Sequence, residues 1–414
     1  MTTFLVCRWE PNSIAALLDR GLELIVLFDE WEAANRTFDS DLLGRISRTI
    51  TVASFDAMDH LSMVASGLLE EGTVIDQVVV VDERGLLGAG YLAAALGVPG
   101  PSVLQSVRVR DKRAMKLAAA SAGVRIAKFA TLPADVPEAV SAAQDRVGFP
   151  CVVKPVAGMG TTATARIDSS AELSTWLDAN AESAPFMVEE FISGREYHVD
   201  AVWKEGRIIE IAVCRYMKPR IEIDNPNILN GAILIRRDLD QELYEQVEQM
   251  HDALAGPFEF STGITHAEFF EIAPGELVFS EIALRCGGAG AMNIHRPRGA
   301  DMREVWAAAM AGDPADALPV LEDSTDQHLA WLLLAPTAAG TVVRIPTDEE
   351  IASYPYILDV ERLAKVGDTV RLHSLTAGMT TVISGADEDE LHTRALELAD
   401  SLTFEVEVGE DAHA

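Results

Sequence analysis

Residues 278–288 read Val278-Phe279-Ser280-Glu281-Ile282-Ala283-Leu284-Arg285-Cys286-Gly287-Gly288, an apolar strand broken by Glu281 and Arg285 and closed by two glycines. A carboxylate and a guanidinium in such company are costly to bury unless each has a partner. Upstream, "THAEFFEI" (residues 265–272) reads as a second strand, and Ala273-Pro274-Gly275-Glu276 as the turn that joins the two into a hairpin. In an antiparallel pair of this kind Glu268 and Glu281 can face each other, with Cβ atoms about 5 Å apart. Arg285 shares the face of Glu281 because their separation is even.

Two ionised carboxylates this close repel each other unless a cation lies between them. Carboxylates together with a nucleotide phosphate are the usual holders of Mg²⁺, which prefers oxygen ligands and keeps several waters. The alternative is a structural pair of glutamates bridged by Arg285. Arg285 can also take a substrate carboxylate or an acyl phosphate through a two-pronged hydrogen bond.

Working outward, Lys154 ends the apolar strand "PCVVKPV" and is followed by the loop "AGMGTTATA", which carries Gly158, Gly160 and Thr161. A lysine and a glycine/threonine loop present a cation and backbone N–H groups to a polyanion. The order differs from a Walker loop, because Lys154 precedes the glycines. In "MVEEFISGREYHVD" two acids, Glu189 and Glu190, end a strand, with Phe191 and Ile192 next and Glu196 beyond. That is either a solvated strand edge or a hinge whose backbone pairs with a base while a carboxylate accepts from ribose hydroxyls. The basic run "RVRDKRAMK" (108–116) opens an Ala-rich helix and contains Lys112.

The first hundred residues alternate short apolar strands with helices, a pattern for a βαβ domain with a parallel sheet. "CRWEPNS" follows the first strand where GxGxxG would stand, so a dinucleotide is not expected there, and any ligand should meet strand C-terminal ends such as those of Arg8 and Glu83. We divide the chain into a βαβ domain (1–108), a linker helix with a lid subdomain (109–188), a catalytic subdomain (189–323) and a small α+β domain (324–414). After Arg285 the loop "CGGAGAMNIHRPRGAD" should line an acceptor pocket. Ala289 and Ala291 are small and would leave room for a bulky side chain there, although a tightly packed loop fits equally well. His266, two residues from Glu268, and His295 are candidate substrate contacts; a satisfied strand histidine or a solvated basic loop accounts for them as readily.

The formal charge is −32, with 65 acids against 33 bases. Nucleic acid and anionic membrane both demand a basic surface, so neither is an expected partner. Four scattered cysteines lack the spacing of a zinc or redox site. No basic leader or membrane-length apolar run occurs in the sequence, and a reducing cytoplasm is the expected compartment.

In their order, Lys112 in "VRDKRAMK", Lys154 in "VVKP", "AGMGTTAT", "VEEFISGRE", "HAE" and "SEIALRCGG" resemble the ATP-grasp ligases over roughly residues 105 to 300. The likeness lies in order and spacing, since no single motif is specific. It implies a mixed α/β and α+β architecture, the ATP-grasp fold, with a Rossmann-like but non-dinucleotide N-terminal domain, a flexible lid and a small C-terminal domain. It implies ATP phosphates on Lys112 and Lys154, and Gly158, Gly160 and Thr161 on the lid. Glu189, Glu190, Phe191 and Ile192 would hold adenine, Glu196 ribose, and Glu268 and Glu281 Mg²⁺, with Mn²⁺ as a substitute. Arg285, Lys154 and Glu281 would be the catalytic set, and Glu83, His266, Arg285, Gly288, Ala289 and His295 the substrate contacts.

One departure is Ala283, where the pattern commonly has Asn. A third metal oxygen would then come from elsewhere, and Asn230 is the candidate. "THAEFFEI…SEIALRCGGAG" most resembles the L-amino-acid ligases that make dipeptides. That branch implies two small substrates, a carboxylate and an amine, an acyl phosphate between them, and ADP and phosphate as products; a homodimer is compatible with it. The competing readings are a biotin-carboxylase-like or purine-biosynthesis enzyme that activates bicarbonate or formate, and a nucleotide-binding protein without catalysis.

Overall fold

The computed structural model describes residues 2–181, 185–223, 229–322, 327–372 and 376–408. The N-terminal strands β1 (Thr3–Cys7), β2 (Glu23–Asp29), β3 (Arg48–Val52) and β4 (Gln77–Val80) form a parallel sheet in the order β3-β2-β1-β4. β1 is buried along its whole length and reads as a continuous apolar run, as a strand covered on both faces must. Strand order reverses between β1 and β4, so the crevice outside their ends is a natural ligand position. Glu83 stands there, just after β4.

A second sheet, antiparallel, contains β5 (Phe129–Thr131), β6 (Cys151–Pro155), β7 (Ala165–Ile167) and β8 (Phe186–Glu190) in the order β5-β8-β6-β7. Helices Val136–Arg146 and Ser170–Ala179 cover it, each started by a side chain that accepts from the first turn, Asp135 and Ser169 respectively. The glycine/threonine loop joins β6 to β7. Within it Gly160, Thr161 and Ala163 have φ of 57°, 58° and 49°. Two of these are not glycine, and left-handed backbone costs such residues about 1–2 kcal/mol each.

The remaining strands are β9 (Arg195–Lys204), β10 (Arg207–Tyr216), β11 (Asn230–Leu234), β12 (Gly263–Ala273), β13 (Glu276–Ala283), β14 (His328–Leu334), β15 (Gly340–Arg344), β16 (Ile357–Arg362), β17 (Thr369–Val370), β18 (Met379–Gly385) and β19 (Glu405–Glu407). Eight of them make one sheet in the order β13-β12-β9-β10-β11-β14-β18-β16. The strands beyond residue 327 thus extend the sheet that carries the glutamates, and β15, β17 and β19 form a small separate sheet. Helix Lys112–Ser121 packs on β13, where Met115 Sδ accepts from the Ile282 N–H at 3.3 Å. The hairpin of β12 and β13 turns at Gly275, whose φ of 79° suits a residue without a Cβ. All four cysteines are buried and unpaired. Among the described residues no helix is long and apolar enough to cross a membrane.

Candidate active site

A cavity of about 370 Å³ lies between the lid sheet and the large sheet. Its floor is set by strand register. Glu268 on β12 is directly opposite Glu281 on β13, so the two carboxylates project from one face of the hairpin. Lys112, at the start of its helix, meets Glu281 Oε2 at 2.7 Å and donates to the Gly158 carbonyl at 3.1 Å, which ties the base of the lid loop to the floor. Tyr216 donates its hydroxyl to Glu268 Oε1 at 3.0 Å. Burial opposes ionisation of Glu281, but Lys112 and Lys154 outweigh it and hold the carboxyl at about 2.

A buried triad forms part of the cavity wall. Glu189 on β8 meets Lys154 of β6 at 2.5 Å and Lys116 at 2.7 Å. Lys116 also donates to the Ser280 carbonyl at 3.2 Å. Its complete burial pushes the ammonium down despite Glu189, whereas Lys154, which feels Glu281 and Glu268 as well, is pushed up. Between the two cations the Glu189 carboxyl falls to about 2 in spite of burial.

This corrects the expectation that Glu189 holds adenine, because its carboxylate is spent on two lysines. Lys116 went unnoticed in the sequence, although its position one helical turn after Lys112 places both on one face. The hinge is also narrower than expected. The N–H groups of Glu190 and Phe191 already donate to Lys128 O (2.8 Å) and Pro150 O (3.3 Å). Donors for a base edge therefore begin at Ile192, beside the Phe191 ring, which the Arg166 guanidinium caps at 4.4 Å.

Glu196 lies on the same wall and accepts from the Arg220 N–H at 2.7 Å. Burial, then Glu268 and Glu281, push it up to about 8. Part of that rise is the negative field of the two facing glutamates. Oxygen donors in excess charge, on two facing strands, fit a divalent cation. Asn230 does not join them, since its Oδ1 is engaged by Arg220 Nη1 at 2.7 Å.

Arg285 leaves β13 toward the N-terminal sheet. Its Nη2 donates to Glu83 Oε2 at 3.1 Å and its Nη1 to the Cys286 carbonyl at 2.8 Å. Arg110 holds the other oxygen of Glu83 at 3.2 Å. Both oxygens of Glu83, expected as a substrate contact, are thus engaged by arginines. Gly288 is exposed and caps the short helix Ala289–Asn293, with open space where a Cβ would stand. His295 is a correction: it is fully buried, with Arg298 Nη1 against its Nδ1 at 2.9 Å. Burial and Arg298 push it down to about 3, so it carries no charge for a substrate carboxylate. His266 bonds Asp200 Oδ1 through Nδ1 at 2.9 Å, and its Nε2 stands 4.0 Å from Glu268 Oε1.

A profile of the ATP-grasp domain matches residues 117–298. The chain carries an ATP-grasp domain. Its similarity to the L-arginine-specific L-amino acid ligase of Bacillus subtilis is 25% identity over 324 residues, 76% of each chain. In overall shape the chain superposes on an L-amino acid ligase from Bacillus licheniformis with a TM-score of 0.77, covering 99% of both chains at 17% identity. It also superposes on the N5-carboxyaminoimidazole ribonucleotide synthetase of Thermotoga maritima with a TM-score of 0.71, at 18% identity over 98% of this chain and 100% of that one. At such identities these two likenesses speak to the fold. ATP and Mg²⁺ are the cofactors of this class, and the lysines and facing glutamates described above suit them.

Proposed function

We propose that the protein joins a carboxylate to an amine, both from amino acids, through an acyl phosphate. The carrying observation is the meeting, in one cavity, of Lys112, Lys154 and the Glu268–Glu281 pair, with Arg285 held beside them by Glu83 from another lobe. The 25% identity to an amino acid ligase, which extends over 76% of the chain, favours amino acids over bicarbonate.

In this reading Lys112 and Lys154 lie along the triphosphate, Ile192 meets the adenine edge, and Glu196 accepts from ribose hydroxyls. Gly158, Gly160 and Thr161 cover the phosphates from the lid. Mg²⁺ or Mn²⁺ held by Glu268 and Glu281 supplies positive charge to the β- and γ-phosphates. A substrate carboxylate oxygen attacks the γ-phosphorus and ADP departs. Lysines and Arg285 absorb the charge on the transferring group, which is where placed cations accelerate the step most. The amine nitrogen then attacks the acyl carbon, phosphate leaves with the former carboxylate oxygen, and the nitrogen loses a proton. Water would destroy the acyl phosphate, so closure of the lid before transfer protects it.

The test is ADP release with mixtures of amino acids, followed by mass spectrometry of the products. Amino-acid-dependent ADP with a conjugate lighter than the two substrates by one water supports the reading. ADP release that depends on bicarbonate alone would replace it.

A further inference from the structure

We propose that His266 is a third protein ligand of the ion held by Glu268 and Glu281, making a mixed nitrogen and oxygen site that prefers Mn²⁺ to Mg²⁺. This rests on the metal role given to the two glutamates above.

The register brings the three side chains together. Glu268 faces Glu281, and the next pair on the same face is His266 opposite Ala283. Ala283 is a methyl where a longer side chain would fill the space beside the glutamates, and the imidazole of His266 takes that side of the hairpin. Its Nε2 lies 4.0 Å from Glu268 Oε1. Two ligand atoms each about 2.1 Å from one ion are separated by about 3.0 Å when adjacent and about 4.2 Å when opposite. The observed separation falls inside that range without movement of the backbone.

The ring is also oriented as a ligand. Trp331 Nε1, which can only donate, stands 3.2 Å from His198 Nε2, so the proton of His198 is on Nδ1 and points at Asp200 Oδ2, 3.0 Å away. The other oxygen of Asp200 receives Nδ1–H of His266 at 2.9 Å. Asp200 and His198 are buried, and the bonds they make fix the ring of His266 with Nε2 toward Glu268. A carboxylate on the far nitrogen of a histidine is the usual outer partner of a metal ligand. Gly287 preserves the arrangement, because a Cβ there would come within 2.7 Å of Asp200 Oδ1 and 2.9 Å of His266 Nδ1. His198, Asp200 and His266 do not enclose an ion among themselves, since their facing atoms already hydrogen-bond one another. The open coordinating atom is His266 Nε2.

Mg²⁺ is held by oxygens and gives up its waters reluctantly, whereas Mn²⁺, equally suited to the two carboxylates, binds an added nitrogen donor more strongly than Mg²⁺ does, which sets the preference. The test uses the full chain with Mn²⁺ and ADP. Electron spin echo modulation should show nitrogen coupling from a bound imidazole, and labelling histidine alone with ¹⁵N should convert it from the ¹⁴N to the ¹⁵N pattern. His266→Asn, whose amide can still donate to Asp200, should bind Mn²⁺ without that coupling and lose about tenfold of the Mn²⁺-over-Mg²⁺ preference in a competition titration. Mn²⁺ bound by the wild type without histidine coupling overturns the inference while leaving the glutamate site intact. Failure of the wild type to bind Mn²⁺ with ADP overturns the metal role of the glutamates, and this inference with it.

Discussion

Glu189→Gln removes the carboxylate that meets both Lys116 and Lys154 while keeping the shape of the side chain. With ammonium groups at 2.7 and 2.5 Å, and an effective dielectric near 20, each contact is worth about 6 kcal/mol of Coulomb energy before desolvation is charged against it. The loss cannot reach that sum, because a stranded lysine can shed its proton. Deprotonating one lysine at pH 7 costs about 4.6 kcal/mol, from a reference value of about 10.4. A destabilisation of about 3–5 kcal/mol is therefore expected, in line with other broken buried pairs. Urea unfolding followed by tryptophan fluorescence measures it. With Mg²⁺ and a non-hydrolysable ATP analogue the gap between variant and wild type should narrow, since phosphates can replace the missing anion. A loss below about 1 kcal/mol without nucleotide would refute the view that Glu189 neutralises the two lysines.

Glu281→Gln should lower ADP release at least a hundredfold, on the order of 3 kcal/mol of transition-state stabilisation, and undiminished turnover would remove Glu281 from the metal. Glu83→Gln should raise the KM of the carboxylate substrate several-fold and leave that of ATP unchanged, because it loosens Arg285 and not the lysines; equal effects on both would show that Glu83 serves the fold alone. Bulky substitution at Ala289 should narrow the range of amino acids accepted, read by mass spectrometry of products, and an unchanged product set would place the residue outside the pocket. His295 has a folded value of about 3 against an ordinary 6.5, so the unfolded chain binds the extra proton first and stability falls as pH drops from 6.5 toward 3. The expected loss by pH 5 is about 2 kcal/mol, and a His295→Gln variant should show a flatter profile over the same range.

The hairpin that carries Glu268 and Glu281 was legible because local rules determine it: alternating strands, a Pro-Gly turn and an even spacing that fixes which side chains share a face. Lys154 and Lys112 were legible for the same reason, each being a charge at the end of a buried element. Lys116 follows Lys112 by one helical turn, so the same helical spacing places it on the face of Lys112. Glu83 is different. Its bond to Arg285 joins residues 202 positions apart on two lobes, and no local pattern announces such a pairing. The same holds for the strands after residue 327, whose alternation reveals that they are strands but not that they extend the catalytic sheet. His198 and Asp200 were read only as part of a strand, since the partner that gives them a purpose, His266, lies on another one.

The central claim is that the phosphoryl group passes to a substrate carboxylate. An amino acid mixture labelled with ¹⁸O in its carboxylates, incubated with the protein, Mg²⁺ and ATP, tests it by ³¹P spectroscopy of the released phosphate. One ¹⁸O per phosphate formed, alongside ADP, is the predicted result. Unlabelled phosphate, or AMP with pyrophosphate, would contradict it.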